Sequence, residues 1–183
     1  MVLTDREIQA ALNNGQIVIT PRPDPSCFSS TSVDLTLDAR GARWKKPKGG
    51  AIVVISPADP AFSYQTVFEE YTESFDMKAG FEIEPSGFIL AWTKEFVSLP
   101  SQAKLAARVE GKSSLARLGV GVHVTAPTIH AGFEGNIQLE VFNHSPLPIK
   151  FVPGMKICQL IFEQTLGTPE RGYAGQFAGQ KAK

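Results

Sequence analysis

After Asn14 the chain reads as a succession of short apolar or alternating runs, each closed by Gly or Pro. Residues 32–37 alternate, with Val33, Leu35 and Leu37 on one face, and 81–84, 105–110 and 137–141 repeat the pattern. Residues 17–20, 51–55, 88–92, 96–99, 147–152 and 157–162 are short apolar runs of strand character, with 51–55 expected to be buried. Pro21-Arg22-Pro23, Pro85-Ser86-Gly87, Pro100 and Pro153-Gly154 stop them, and residues 21–32, rich in Pro and Ser, are expected to form a loop. Short strands at this spacing, with no helices between them, predict a mainly β sandwich or barrel and exclude a βαβ sheet. The exception is the N-terminus. Thr4 followed by Glu7 is a capping-box pattern, Ile8, Ala11 and Leu12 form one apolar face, and Asn13-Asn14-Gly15 supplies a stop, so a helix is expected over 4–14.

A chain of 183 residues, 43% hydrophobic and 20% charged, can bury one core. No linker or repeat divides it, so residues 1–166 are read as one domain. Residues 167–183 are rich in Gly and poor in apolar side chains, and are expected to form a mobile tail that orders on a ligand. Eighteen basic and eighteen acidic side chains cancel, so no global field collects nucleic acid or an anionic membrane, and any phosphate site must be local. Residues 40–50 (RGARWKKPKGG) are the one basic stretch. Charge with a tryptophan suits nucleic-acid stacking, but the run is short and the acidic residues 69–76 offset it, so a surface loop or hairpin is the expectation. The N-terminus lacks the apolar core of a signal peptide, and no apolar run reaches the ~18 residues of a membrane span. Cys27 and Cys158, far apart in sequence, read as reduced thiols of a cytoplasmic protein.

Residues 111–143 concentrate the chemistry. Gly111-Lys112-Ser113-Ser114 follows a strand, where successive amides and hydroxyls can form a nest for phosphate oxygens, yet an ordinary turn has the same composition. The upstream glycine of a Walker A loop is missing. Arg117, four residues past Ser113, would share its face on one helical turn. In 137–141, Ile137, Leu139 and Val141 face one way while Gln138 and Glu140 face the other. A half-buried Glu140 would have a raised pKa and could move protons; a solvent-facing Glu140 would not. Asp34 is either a ligand or a solvated carboxylate, and His123 and His130 are bases or structural side chains with no third partner spaced for a metal.

These segments together resemble the dCTP deaminase family of the trimeric dUTPase-like superfamily. The resemblance is carried by 110–119 (EGKSSLARLG), 123–126 (HVTA), 131–133 (AGF), 138–143 (QLEVFN) and 153–160 (PGMKICQL). Leu3 to Ile8, Ser32 to Leu35, Gly172-Tyr173 and 177–180 fit as well, and 41–75 is the loosest part. The resemblance implies a distorted β jelly roll with a short N-terminal helix, assembled as a homotrimer with active sites between neighbouring chains. It implies zinc-free hydrolysis of dCTP to dUTP and ammonia, supplying dUTP for dUMP and dTTP synthesis. The His-x-Glu and Pro-Cys-x-x-Cys of zinc deaminases are not in the sequence.

By the same resemblance Glu140 is the general acid/base, Ser113 and the Ala126 carbonyl hold the water, and Arg117 polarises the site. Lys112, Ser113, Ser114 and Arg117 would bind the triphosphate, with Mg²⁺ carried on its oxygens and no protein metal site. Gln138, Leu139 and residue 130 would line the nucleotide, and Tyr173, Gln176 and Gln180 would close over it. The family also admits dTTP as an inhibitor. Three positions depart from its usual pattern: Thr128 stands for an arginine, His130 for an aspartate, and Gln176 for a lysine. In dUTPases and bifunctional relatives that aspartate activates the water that attacks phosphorus, so His130 predicts deamination without efficient dUTP hydrolysis. A dUTPase-like pyrophosphatase, a bifunctional deaminase–dUTPase and a non-catalytic nucleotide-binding regulator are the alternatives.

Overall fold

Residues 1–47, 49 and 52–173 are described by a computed structural model. The capping pattern forms as expected. Helix α1 (Asp5–Asn13) starts at Thr4, whose backbone N–H and hydroxyl both donate to Glu7, the former at 3.0 Å. Ile8 and Ala11 are buried and Leu12 packs against the core, so the helix seals one flank of the sheets.

The strands that follow pair antiparallel. They are β1 (Val18–Thr20), β2 (Phe28–Ser29), β3 (Ser32–Trp44), β4 (Thr72–Asp76), β5 (Phe81–Ile83) and β6 (Phe88–Ser98). They continue with β7 (Leu105–Gly111), β8 (Val120–Gly121), β9 (Thr128–Ile129), β10 (Glu134–Asn143), β11 (Ile149–Phe151) and β12 (Lys156–Gln164). Ten of them form one curled sheet whose main path runs β8-β10-β6-β3-β12-β7-β9, and β11 pairs with β5 apart from it. Helix α2 (Tyr64–Tyr71) precedes β4, and helix α3 (Ser113–Ala116) is a single turn after β7.

Strand β3 joins the two halves of the path, pairing with β6 on one side and β12 on the other. Val33, Leu35, Leu160, Phe162, Leu99 and Ile157 from these strands and their neighbours are fully buried, which places the core between the layers of the curled sheet. Burying such side chains is the main drive to close the sheet on itself.

Three expectations need correction. Residues 40–44 are not loop: β3 continues through Trp44 and pairs with β4, from Arg40 opposite Asp76 to Trp44 opposite Thr72. The loop expected over 21–32 holds a turn of 3₁₀-helix at Pro25–Cys27 and the short β2, which folds back on Ser32 and Val33. Residues 52–55 form no strand and are not buried; Ile52 is 92% and Val54 83% exposed. Apolar, β-branched composition makes a run fit for a sheet, but burial requires a neighbour to pair with. Ala51 lies outside the described residues, as do Gln176 and Gln180.

Candidate functional site

Strand β10 builds the centre of the site. It pairs with β6, with Gln138 opposite Trp92 and Glu140 opposite Leu90. Burial alternates along it: Ile137, Leu139 and Val141 enter the core, while Gln138 and Glu140 are half-buried on the other face. A bulge between Asn136 and Gln138 interrupts the ladder, and the Thr93 hydroxyl accepts the freed Ile137 N–H at 3.0 Å. The bulge bends the strand beside the two polar side chains, as bulges near functional sites commonly do.

Glu140 lies in a cavity of about 420 Å³. Burial is the main cause raising its pKa; a long contact from the Val124 N–H to Oε2, 3.4 Å, and the neighbouring His123 pull it back in part. The carboxyl therefore holds a proton more readily than a free glutamate, which suits a group that must take and return one. Ala126, Thr128 and His130, from the segment leading into and through β9, form part of the lining, together with Gln138 and Leu139. His123 lines it too, and its Nδ1 is buried with no partner among the described residues. Tyr173 arrives from the C-terminal segment: its N–H donates to the Ala131 carbonyl at 3.1 Å, and its ring stacks on His130 at 5.3 Å between centroids, 15° from parallel.

Gly132 makes that arrival feasible. Its φ is +88°, and a Cβ there would sit 2.8 Å from the Tyr173 nitrogen and 2.7 Å from the Ser101 Oγ. Only glycine tolerates both the backbone angle and the approach.

The site also contains residues that sequence reasoning did not assign to it. Trp44, Tyr64 and Phe88 complete the lining with aromatic surface. The Tyr64 phenol is shifted upward, first by burial and then by the Glu140 charge, so phenol and carboxylate share one space. Tyr64 opens α2, and Phe68 one turn later stacks on it at 5.8 Å while packing against Ala42, Leu90 and Trp92. Residues 57–80 show no apolar period, so nothing in the sequence marked Tyr64; Trp44 was visible only as the tryptophan of a basic stretch.

The Gly111–Arg117 segment lies elsewhere. Ser113 and Ser114 are exposed on α3, Arg117 caps the turn through its N–H to the Ser113 carbonyl at 3.1 Å, and none of these residues lines the cavity. Lys112, at the head of the turn, points its ammonium to Asp34 Oδ1 at 2.5 Å. Asp34 is accordingly neither solvated nor free: it is 8% exposed, and Lys156 reaches its other oxygen at 3.3 Å. One chain thus brings together Glu140, Gln138, Leu139, Ala126, His130 and Tyr173, and holds Lys112, Ser113, Ser114 and Arg117 in a second, separate group.

Known proteins resemble this chain over most of its length. A family model described as dCTP deaminase-like matches residues 2–165. A protein named dCTP deaminase, dUMP-forming, from Sulfurihydrogenibium sp. is 39% identical over 181 residues, covering 99% of this chain and 93% of the relative. A dCTP deaminase of Marinomonas sp. is 42% identical over 177 residues, covering 94% of this chain and 88% of the relative. In fold, the chain resembles the crystal structure of 2′-deoxycytidine 5′-triphosphate deaminase from Agrobacterium tumefaciens, with a TM-score of 0.66 and 22% identity. That match covers 89% of this chain and 48% of the other, so this chain spans about half the length of that one. The agreement in sequence runs through nearly the whole domain, and the chain belongs to the dCTP deaminase family.

Proposed function

We propose that the protein deaminates dCTP hydrolytically at the Glu140 cavity and releases dUTP and ammonia. The observation that carries this reading is the half-buried Glu140 carboxyl with its raised pKa, set on a rigid strand in a cavity lined by polar side chains and aromatic rings. In the reaction Glu140 takes a proton from water as the oxygen forms its bond to C4, and delivers it to N3. A second proton, passed from the added hydroxyl through Glu140, leaves with the amino group as the C4–N bond breaks. Water is consumed, ammonia is released and the C4 carbonyl forms, so no redox partner is required. Gln138, two residues away on the same face, is placed to bind the nucleotide beside it.

The separation of the two residue groups supports a shared site. Ser113 and Arg117 are exposed and outside the cavity of their own chain, which suits their serving a neighbour's Glu140 in a homotrimer. In that assembly Ser113 and the Ala126 carbonyl hold the water, while Lys112, Ser114 and Arg117 form the triphosphate end. Magnesium fits as a companion of the substrate: Asp34, the carboxylate against Lys112, is already bound by two ammonium groups, and phosphate and water oxygens are the donors Mg²⁺ prefers. It neutralises triphosphate charge when bound. Tyr173, and beyond it Gln176 and Gln180, cover the nucleotide, and dTTP would compete for the same cavity. The setting is cytoplasmic nucleotide metabolism.

A second reading, deamination followed by hydrolysis to dUMP, is favoured by the words "dUMP-forming" in the names of several relatives. Against it stands His130, a side chain that is longer than aspartate, carries no negative charge and is stacked on Tyr173. One assay tests both: incubate the protein with dCTP and Mg²⁺, resolve the nucleotides and measure ammonia. Equimolar dUTP and ammonia are expected; dUMP with pyrophosphate establishes the second reading, and no ammonia overturns both. Glu140→Gln should still bind nucleotide while turnover falls by about 10²–10⁴-fold, the usual worth of a positioned acid/base.

A further inference from the structure

We propose that Asp34 is a positioning residue for the triphosphate end of the site, fixing Lys112 and through it the turn that bears Ser113, Ser114 and Arg117. This rests on reading that turn as the phosphate-binding element. Strand pairing sets the arrangement: Gln159 of β12 lies between Asp34 of β3 and Glu110 of β7, so the start of the turn is brought beside the Asp34 carboxylate. Asp34 Oδ1 meets the Lys112 Nζ at 2.5 Å, and the two side chains are 11% and 23% exposed. A pair this sheltered is held more firmly than a surface ion pair, and removing one partner leaves a charge without compensation.

The surrounding bonds point the same way. Gln159 donates from Nε2 to the Gly111 carbonyl at 3.2 Å and accepts the Ser32 hydroxyl at 2.9 Å. Lys156 reaches Asp34 Oδ2 at 3.3 Å and is itself fixed to the Ser26 carbonyl at 2.6 Å. The Lys112 carbonyl accepts the N–H groups of Leu115 and Ala116, at 2.9 and 2.8 Å, so the residue Asp34 grips is the one on which α3 is wound. Asp34 thus orders a cation and its loop before an anion arrives, which lowers the ordering cost of binding.

The alternative is competition, in which Asp34 withholds Lys112 from phosphate. The two predict opposite signs. Full-length Asp34→Asn should raise the KM for dCTP about tenfold with kcat within about threefold, and weaken dUTP binding in calorimetry by the same factor. Lys112→Met should do likewise, and the double variant should be no worse than Lys112→Met alone, because the two residues act as one unit. A lowered KM in Asp34→Asn, or losses that multiply in the double variant, overturns the proposal. If Asp34→Asn does not fold, Asp34→Glu carries the test: it keeps the charge and displaces it, and a KM equal to wild type refutes positioning. Calorimetry reads the turn without chemistry, so a wild type that binds dUTP yet releases no ammonia defeats the deaminase reading alone.

Discussion

Glu140 is tuned to hold a proton at a thermodynamic cost. Its carboxyl is raised above the ordinary value of 4.5 mainly because folding removes it from water. A raised carboxyl pKa means that the folded protein binds the proton more tightly than the unfolded chain. Stability from this group is therefore complete below the ordinary value and is lost as pH rises through the folded one. Glu140→Gln, neutral at every pH, should melt higher than wild type at pH 7–8, and the gain should vanish below about pH 4, where both chains carry a neutral side chain. Thermal melts across that range check it; a variant less stable than wild type at pH 8 would contradict the burial argument. The same shift fixes the rate profile: deamination needs the carboxylate, so its acid limb should lie above that of an ordinary glutamate. Glu140 and Gln138 were legible in the sequence because a period of two puts them on the face opposite three aliphatic residues. Asp34 obeys the same period, and of its readings as a ligand or a solvated carboxylate its burial excludes the second. Strand β3 is covered on both faces where it crosses the sheet, and alternation tells faces apart without telling which of them meets water.

At the scale of elements, what the sequence conveyed depended on whether a segment carries its own period. Helix α1 and strand β7 bring capping or alternating residues and were readable near their true ends, whereas β10 and β12 were recognised by their centres, 137–141 and 157–162, and extend beyond them. Residues 88–92 and 96–99 looked like two strands, and β6 runs through both: Thr93 and Glu95 are buried between them, the Thr93 hydroxyl donating to the Glu95 carbonyl and Glu95 accepting from the Thr36 backbone and hydroxyl. Polar residues that look like a break are here partners in a satisfied buried network. Helix α2 has no buried residue, so no apolar stripe announces it, although it delivers Tyr64 to the cavity. The docking of the C-terminal segment on the Gly132 turn can be tested against an internal control. Gly132 and Gly154 have nearly the same φ, +88° and +84°, but a Cβ at Gly154 would meet nothing within 4 Å. Alanine at either position should lower stability by about 1–2 kcal/mol through the backbone alone. Only Gly132→Ala should also raise the KM for dCTP severalfold, because only there does the methyl displace Tyr173. Equal kinetics in the two variants would mean that the docked segment takes no part in binding.

For the whole molecule the decisive feature is that Glu140 lines the cavity while Ser113 and Arg117, proposed to work with it, do not. Glu140 stands on β10 in the cavity, while Ser113 and Arg117 are exposed at α3, the turn that leads from β7 into β8, and line none of that cavity. A closed ring in which the exposed turn of one copy faces the cavity of the next would join the two groups at every interface. This gives a prediction that a complete site within one chain cannot share. Glu140→Gln and Arg117→Ala chains, each nearly inactive alone, should recover activity when unfolded together and refolded as mixed trimers. A competent site needs Glu140 from an Arg117→Ala chain and Arg117 from a Glu140→Gln chain, and random mixing at equal amounts supplies that in about a quarter of sites. Recovery should follow the product of the two mole fractions and peak at equal mixing. Sedimentation should show a trimer for each variant and for the mixture. A mixture of intact trimers with no recovery at any ratio would place Glu140 and Arg117 in the same chain's site, and the exposed turn would then need another partner.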